Sequence, residues 1–550
     1  MYVIKSNLNY SKKKIAIFLF LIVLCSFGLK YITLDLATIP QNDVIGYALQ
    51  GISLINGDLS QPPRKTLGWP IFSYPILSSN MNGEFFDLLN SLRLFSFSIS
   101  IISIYPMYML SRRFFNEKYS LVASFLFAIE PHLSHNAGLG LSEPIFILLI
   151  ILTTYFVLSK NLKLVYLAFF LTGLVWWVRF NGIIMLPILI IVFFLTFRKT
   201  SKLIPKLLLG IVFFLIIASP MLIQRYEQFG DPFYFSQKDS FYRGNIIDIV
   251  AENTKNSSYS LFDYISEHGI FQFVIKFLIT GLFNLLQQVI ILSFPFLIFL
   301  VPIGMFFSVR AFDQDQKYTY VNWIVLLGNL VVFVTYFAVV QERRLLFHVI
   351  PFLIIFAVIP IQRLIEYGLS TFSLTQNQKM VSLLIVLFIV GILSIAFTAR
   401  YEMPDVIENN EKVEFSKYVI SNYNGTMLNV GDSLRMLKYV NYVEPFGDFR
   451  TYRANNNLNS DIYQDVKIIS ISAKSFKDLI SIGEQYDLKY IVINNRDDLE
   501  SSYPFLQKIY DADESHPYLT KVFDSKSVGY EKLEVKIFKI NYDIFRENTH

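Results

Sequence analysis

From Met380 to Phe397 the chain carries 18 consecutive residues without an ionisable side chain. A run of that length is enough to cross the hydrocarbon core of a bilayer as a helix. Similar runs recur through the first three quarters of the sequence, as blocks and not as a stripe at helical spacing. That pattern marks a membrane-spanning chain and not a soluble helical one. With 53% hydrophobic residues and a mean hydropathy of +0.45, a soluble globular composition is excluded, and a multispanning α-helical membrane protein is expected.

At about 20 apolar residues per crossing, the sequence predicts about eleven spans. The first runs from Ile15 to Leu34, the second from Ser91 to Leu110, and the third from Tyr119 to Ile129, extending toward His132. The next four start at Ser142, Leu164, Gly182 and Leu203. Phe271 to Gln288 is apolar but holds Lys276, Asn284, Gln287 and Gln288, so its first half reads as an interfacial helix, with the eighth span at Val289 to Val309. Tyr320 to Val339, Leu345 to Ile365 and Met380 to Phe397 complete the set. The first apolar run is long for a signal peptide and lacks a small-x-small cleavage site, so it reads as a retained span.

Cations between the spans set the expected orientation. Lys12 to Lys14, Arg112 with Arg113, Lys160 with Lys163, Arg198 with Lys199 and Lys202, Arg310 with Lys317, and Arg363 with Lys379 alternate onto one side, which should be cytoplasmic. The net charge of +5 is used up in this pattern and does not point to nucleic acid. The long loops 35–90 and 224–268, and everything after Arg400, then fall outside the plasma membrane. After Arg400 the composition changes to short alternating segments such as VKIISIS and LKYIVIN around the helical stretch FKDLISIGEQY. Residues 1–400 thus read as a transmembrane domain and 401–550 as a soluble, extracytoplasmic α/β domain. Two sequons, at Asn256 and Asn424, fall on the external side. The single cysteine, Cys25, lies inside the first span, which excludes an intrachain disulfide framework and suggests no thiol metal site.

The polar chemistry collects on the external side. Asp43, in the stretch QNDVIGYALQGISLING, sits at the membrane edge near a helix start, where it reads either as an N-terminal helix charge or as a site carboxylate. Glu143, directly before Pro144, has the same two readings. Arg93, Arg179, Arg343 and Arg344 lie near external span ends, either snorkelling to the interface or binding an anion. His348, one turn after Arg344, faces the same cavity or is buried and hydrogen-bonded. His132 and His135 have a spacing that a metal could use, but a polar loop beside a span accounts for them, and no metal site is assigned.

Several stretches carry a resemblance. Asp43 with Tyr47 in DVIGYALQGISLING, the segment GWPIFSYPIL, and Arg93 in SLRLFSFSIS are joined by LSRRFFNEKYSLVASFLFAIEP, Glu143 in LSEPIFILL, and Arg179 in RFNGIIMLP. SPMLIQRYEQFGDPFYFS and RRLLFHVIPFL, with Arg344 seven residues before Pro351, complete them. In this order the chain resembles the polyprenyl-phosphate-sugar-dependent glycosyltransferases of the GT-C superfamily, in particular the dolichyl-phosphate-mannose protein mannosyltransferase type. Val44 stands where that family has a second acid. The carboxy-terminal region carries no such resemblance.

The resemblance implies an inverting transfer of a sugar, mannose in the named family, from a polyprenyl-phosphate carrier to a hydroxyl of an external protein or glycolipid. It requires no cofactor, although a divalent cation is compatible with it. Asp43 is then the expected general base, with Tyr47 beside it, Arg93 and Arg344 the expected phosphate ligands, and Glu143 a partner to an acceptor group, an arginine or a divalent ion. Two other classes remain open on the sequence: a transporter or flippase for a lipid-linked saccharide, and an inactive assembly subunit, the latter resting on Val44. The carboxy-terminal domain is expected to recognise the acceptor, because it falls on the same side.

Overall fold

The computed structural model describes residues 11–40, 42–60, 65–81, 83–235, 240–255, 258–309, 316–369, 372–401, 405–437, 439–440, 466–495, 503–512 and 516–548. The sequon at Asn256 lies outside these residues, whereas Asn424 is exposed immediately before a strand.

The first span is α1 (Lys12–Ile32), begun by Ser11, whose side chain accepts from the Lys14 N–H. Two short helices, α2 (Asn42–Ile55) and α3 (Gly68–Ser79), occupy the connection to the second crossing. That crossing is α4 (Phe85–Ile102) continued by α5 (Ile104–Ser111). Then come α6 (Glu117–Ala128), α7 (Pro131–Ala137), α8 (Glu143–Val157), α9 (Leu162–Val178), α10 (Met185–Phe197) and α11 (Leu203–Phe229). The loop after α11 holds two short helices, α12 (Ile246–Val250) and α13 (Glu252–Lys255). Beyond it lie α14 (Leu261–Phe273), α15 (Gly281–Leu292), α16 (Leu297–Val309), α17 (Gln316–Val331), α18 (Phe333–Phe337), α19 (Ile350–Arg363) and α20 (Gln376–Thr398).

Among the described residues, seven helical runs are long and apolar enough to cross a membrane: Lys12–Ile32, Phe85–Ser111, Phe180–Phe197, Leu203–Phe229, Leu261–Leu292, Arg343–Gly368 and Gln376–Thr398. Shorter apolar helices, such as Glu143–Val157 and Leu162–Val178, pack among them. The chain is a multispanning helical membrane protein. Its outer helices turn large apolar groups outward, including Phe20 on α1 and Phe388 on α20. By contrast, α19 is buried at every residue from Ile350 to Ile361, the pattern of a helix enclosed by others. It approaches α16 closely at Gly304, where a Cβ would lie 1.9 Å from the Phe356 carbonyl oxygen.

The region from Gly269 to Val309 departs from its sequence-based boundaries. Leu261 to Leu292 follows one helical path with a kink at Gly269 (φ 82°), whereas the sequence predicts the first half of Phe271 to Gln288 as an interfacial helix. The expected span Val289 to Val309 is instead divided between α15 and α16, with Pro295, which has no amide to donate, in the break.

After Tyr401 the chain forms α21 (Val406–Asn422) and a five-stranded sheet. Its strands are β1 (Gly425–Val430), β2 (Val466–Ile469), β3 (Leu488–Asn494), β4 (Leu519–Asp524) and β5 (Val535–Ile540). The spatial order is β2-β1-β3-β5-β4, with β1 parallel to β2 and β3, and β5 antiparallel to β3 and β4. Leu428 and Ile491 face one core with α22 (Phe476–Gln485) and α23 (Pro504–Ala512), whereas Met427 and Val492 face α21. Both faces of β3 are therefore covered, which explains its nearly unbroken apolar run.

Candidate active site

A cavity of about 430 Å³ opens where the first turn of α2, the start of α8, the end of α9 and the turn before α19 converge. Asp43, Lys65, Glu143, Arg179, Glu342 and Arg344 supply its charged groups, Tyr47 and Thr66 add hydroxyls, and Phe180, Phe235 and Tyr336 form an aromatic wall.

Asp43 lies in the first turn of α2, where the helix dipole favours a carboxylate. One of its oxygens is 2.8 Å from Lys65 Nζ, the other 2.7 Å from Arg344 Nη2. Burial alone would raise its pKa, but the two cations outweigh it and hold the carboxyl at about 2. One turn further on α2, Tyr47 places its ring under Lys65 Nζ, 4.4 Å from the centroid, and its hydroxyl 3.4 Å from Ser142 Oγ.

Glu143 opens α8 and is buried. Its Oε1 lies 2.6 Å from Arg179 Nη1, while its Oε2 has no hydrogen-bond partner among the described residues. Arg179 ends α9 in an extended conformation (φ −147°, ψ 138°), which swings its side chain out of the helix direction and into the cavity. Arg344 belongs to a 3-10 turn, Arg343–Val349, and its Nε donates to Glu342.

The segment carrying Lys65 is held against the end of α9. Thr66 Oγ1 donates to the Val178 carbonyl at 3.0 Å, and Gly68 lies so close to Trp177 that a Cβ would sit 2.1 Å from its carbonyl oxygen. Buried Arg225 on α11 donates to the Lys65 carbonyl at 2.7 Å and to the Tyr234 carbonyl at 2.6 Å, joining two cavity-lining segments.

Of the residues singled out from the sequence, Asp43, Tyr47, Glu143, Arg179 and Arg344 come together here. Arg93 does not. It is buried behind the cavity, donating to the Thr38 carbonyl (2.8 Å) and to Asn90 Oδ1 (3.0 Å), with Asp35 at 3.8 Å. Through Thr38 and Asp35 the guanidinium holds the chain leading into α2, and Arg93 is not among the residues lining the cavity. Arg343 also points away, its Nε donating to Gln288 Oε1 at 3.4 Å. His348 is buried between the rings of Phe146 and Phe333, at 5.4 and 5.7 Å, and does not line the cavity. His132 and His135 bind neither each other nor a third ligand: His132 Nδ1 bonds the Tyr401 hydroxyl, and His135 stacks on the Tyr401 ring at 4.2 Å.

Lys65 and Arg225 were missed. Each sits in a loop or apolar helix where a single cation has the ordinary reading of a solvated or interfacial charge. No group of three or more His, Cys, Asp or Glu side chains that could hold a metal ion occurs among the described residues.

A sequence model of the family dolichyl-phosphate-mannose-protein mannosyltransferase matches residues 85–224. No curated protein sequence matches the chain. Among solved structures, ArnT from Cupriavidus metallidurans bound to undecaprenyl phosphate is similar over 97% of this chain and 99% of its own, with 13% identity and a TM-score of 0.53. The two chains share a fold. A second structure, the Archaeoglobus fulgidus oligosaccharyltransferase tethered to an acceptor peptide containing an NVT sequon, is similar over 91% of this chain and 70% of its own, with 12% identity and a TM-score of 0.56. The same archaeal enzyme in complex with zinc and sulfate gives 0.55 at 13% identity, over 90% of this chain and 69% of its own.

Proposed function

We propose that this chain is an integral-membrane glycosyltransferase that moves a sugar from a polyprenyl-phosphate carrier to a hydroxyl of an external protein or glycolipid. The observation that carries the reading is Asp43 held between Lys65 and Arg344 in a cavity that also contains Arg179. Undecaprenyl phosphate in one structural neighbour and an acceptor peptide in another support the two substrate classes. The matching family model supports mannose as the sugar.

In the proposed step the acceptor oxygen forms a bond to the anomeric carbon as the bond from that carbon to the phosphate oxygen breaks. The electron pair leaves with the phosphate, and the acceptor proton passes to Asp43. A single displacement of this kind inverts the anomeric centre and uses one base and no nucleophile. Lys65 and Arg344 together carry about eight N–H donors, and those not engaged by Asp43 and Glu342 are offered to the leaving phosphate.

Asp43 with both oxygens paired to cations is a weak base. The donor phosphate competes for those cations, so its arrival loosens the two pairs and restores basicity to Asp43 when the acceptor has to be deprotonated. Glu143, fixed through one oxygen by Arg179, keeps its second oxygen for a sugar or acceptor hydroxyl. The cation-rich turns at 112–113, 160–163 and 198–202 lie at the span ends opposite the cavity, since α8 leads from Glu143 at the cavity to Val157 before Lys160. With those turns cytoplasmic, the cavity opens outward from the plasma membrane.

Transfer from a radiolabelled polyprenyl-phosphate sugar by the purified chain tests the reading. Asp43→Asn should lower the rate by about 10² to 10⁴-fold, and full activity would remove Asp43 as the base. Transfer by the purified wild type would also exclude the flippase and assembly-subunit alternatives.

A further inference from the structure

Two asparagines tie the carboxy-terminal domain to the two segments that border the cavity. Asn409, buried on α21, uses both ends of its amide on one residue: Oδ1 accepts from the Ile39 N–H and Nδ2 donates to the Ile39 carbonyl, each at 3.4 Å. Ile39 is four positions before Asp43. On its other side the same strip of backbone is held by α4, through Arg93 on the Thr38 carbonyl (2.8 Å) and Asn90 Nδ2 on the Leu36 carbonyl (3.1 Å). Asp35 accepts from the Ala37 and Thr38 amides within it. The approach to α2 has no regular secondary structure, so its conformation is set by these grips.

Asn253, on α13, makes the same kind of contact with the far side of the sheet. Its Nδ2 donates to the Ser472 carbonyl and its Oδ1 accepts from the Ser472 N–H, both at 3.0 Å. The Glu252 amide donates to the Ser470 carbonyl at 2.9 Å, Ser472 Oγ donates to Asp248, and Ile247 packs on the sheet core. This loop also reaches the cavity wall, since the Phe241 ring stacks on Tyr336 at 5.8 Å. At the junction with α20, Tyr401 is pinned by His132 and His135 on α7, so the domain is anchored next to the spans before it reaches either loop.

We propose that the carboxy-terminal domain acts as a clamp on the cavity, with Asn409 a positioning residue for the segment that places Asp43 and Asn253 one for the loop behind Tyr336. The inference rests on Asp43 acting as the base. A side-chain amide bonded to both the N–H and the C=O of one residue engages the two peptide groups that flank its Cα and restrains their relative orientation, and a base displaced by about 1 Å can lose on the order of 10²-fold in rate.

The test uses the full chain in lipid nanodiscs, with Asn409→Leu and Asn253→Leu compared with wild type. Asn409→Leu should speed amide hydrogen exchange in residues 35–45 while the strands stay protected, and should lower kcat by roughly 10- to 100-fold with the donor KM nearly unchanged. Asn253→Leu should move the exchange increase to residues 240–255. Unchanged exchange in 35–45 together with unchanged kcat overturns the clamp. If Asn409→Leu unfolds the sheet, Asn409→Asp takes its place, because it keeps the side-chain size but turns the donor to Ile39 into a repelling oxygen; wild-type exchange and kcat in that variant also overturn the proposal. The exchange arm does not depend on sugar transfer. Localised exchange in a chain with no transfer activity would therefore retain the clamp and remove the transferase reading.

Discussion

Asp43 carries a cation on each oxygen, and that pairing has a consequence for stability as well as for reactivity. Its folded pKa of about 2 lies below the value near 3.9 expected of an unfolded aspartate. The pairing therefore stabilises the fold fully above about pH 4, and the contribution is lost as pH falls through about 2. Thermal unfolding in detergent should find wild type above Asp43→Asn near neutral pH, with the gap closing between about pH 4 and about pH 2. Glu143 and Arg179 make a more buried pair. Glu143→Gln leaves the guanidinium without its counter-charge, and a loss of about 3–5 kcal/mol in unfolding free energy is expected. The double variant Glu143→Leu with Arg179→Met should recover most of that stability without recovering transfer, which separates the structural role of the pair from its chemical one.

At the level of elements, the cavity depends on short pieces being pressed together. The helix α3 is packed against α9 at Gly68, where backbone meets backbone and no flexible side chain can give way. Gly68→Ala should displace α3 and the Lys65 segment from the end of α9. Overpacking typically costs about 1–3 kcal/mol, and this contact lies at or above the upper end. A lowered unfolding temperature with weakened donor binding is the expected result. That the apolar runs form helices was legible in the sequence; in the structure Asn116 and Thr375 start α6 and α20 by accepting from backbone N–H groups of the first turn. The division between α15 and α16 was not, because apolar composition continues through it while Pro295 interrupts the backbone hydrogen bonding.

Across the whole molecule, the cavity and the cation-rich turns occupy opposite ends of the spans. This predicts a labelling pattern in intact cells, starting from a Cys25→Ser background. A cysteine introduced by Ser527→Cys, exposed in the carboxy-terminal domain, should react with a membrane-impermeant maleimide. One introduced by Ser201→Cys, exposed in the turn between α10 and α11, should react only after permeabilisation. The reverse pattern would invert the proposed orientation. The membrane class, the α/β character of the last part and the presence of Asp43 and Glu143 beside apolar runs could be read along the chain, because each depends on local composition. Which cations meet those acids could not be. Arg93 sits near a span end and Lys65 in the long external loop, yet one is turned toward the backbone at Thr38 and the other toward Asp43. Ion pairing acts over a few ångströms between residues distant in sequence, so the packing of α2, α3, α9 and α11 selects the partners, and no window of the sequence contains that information.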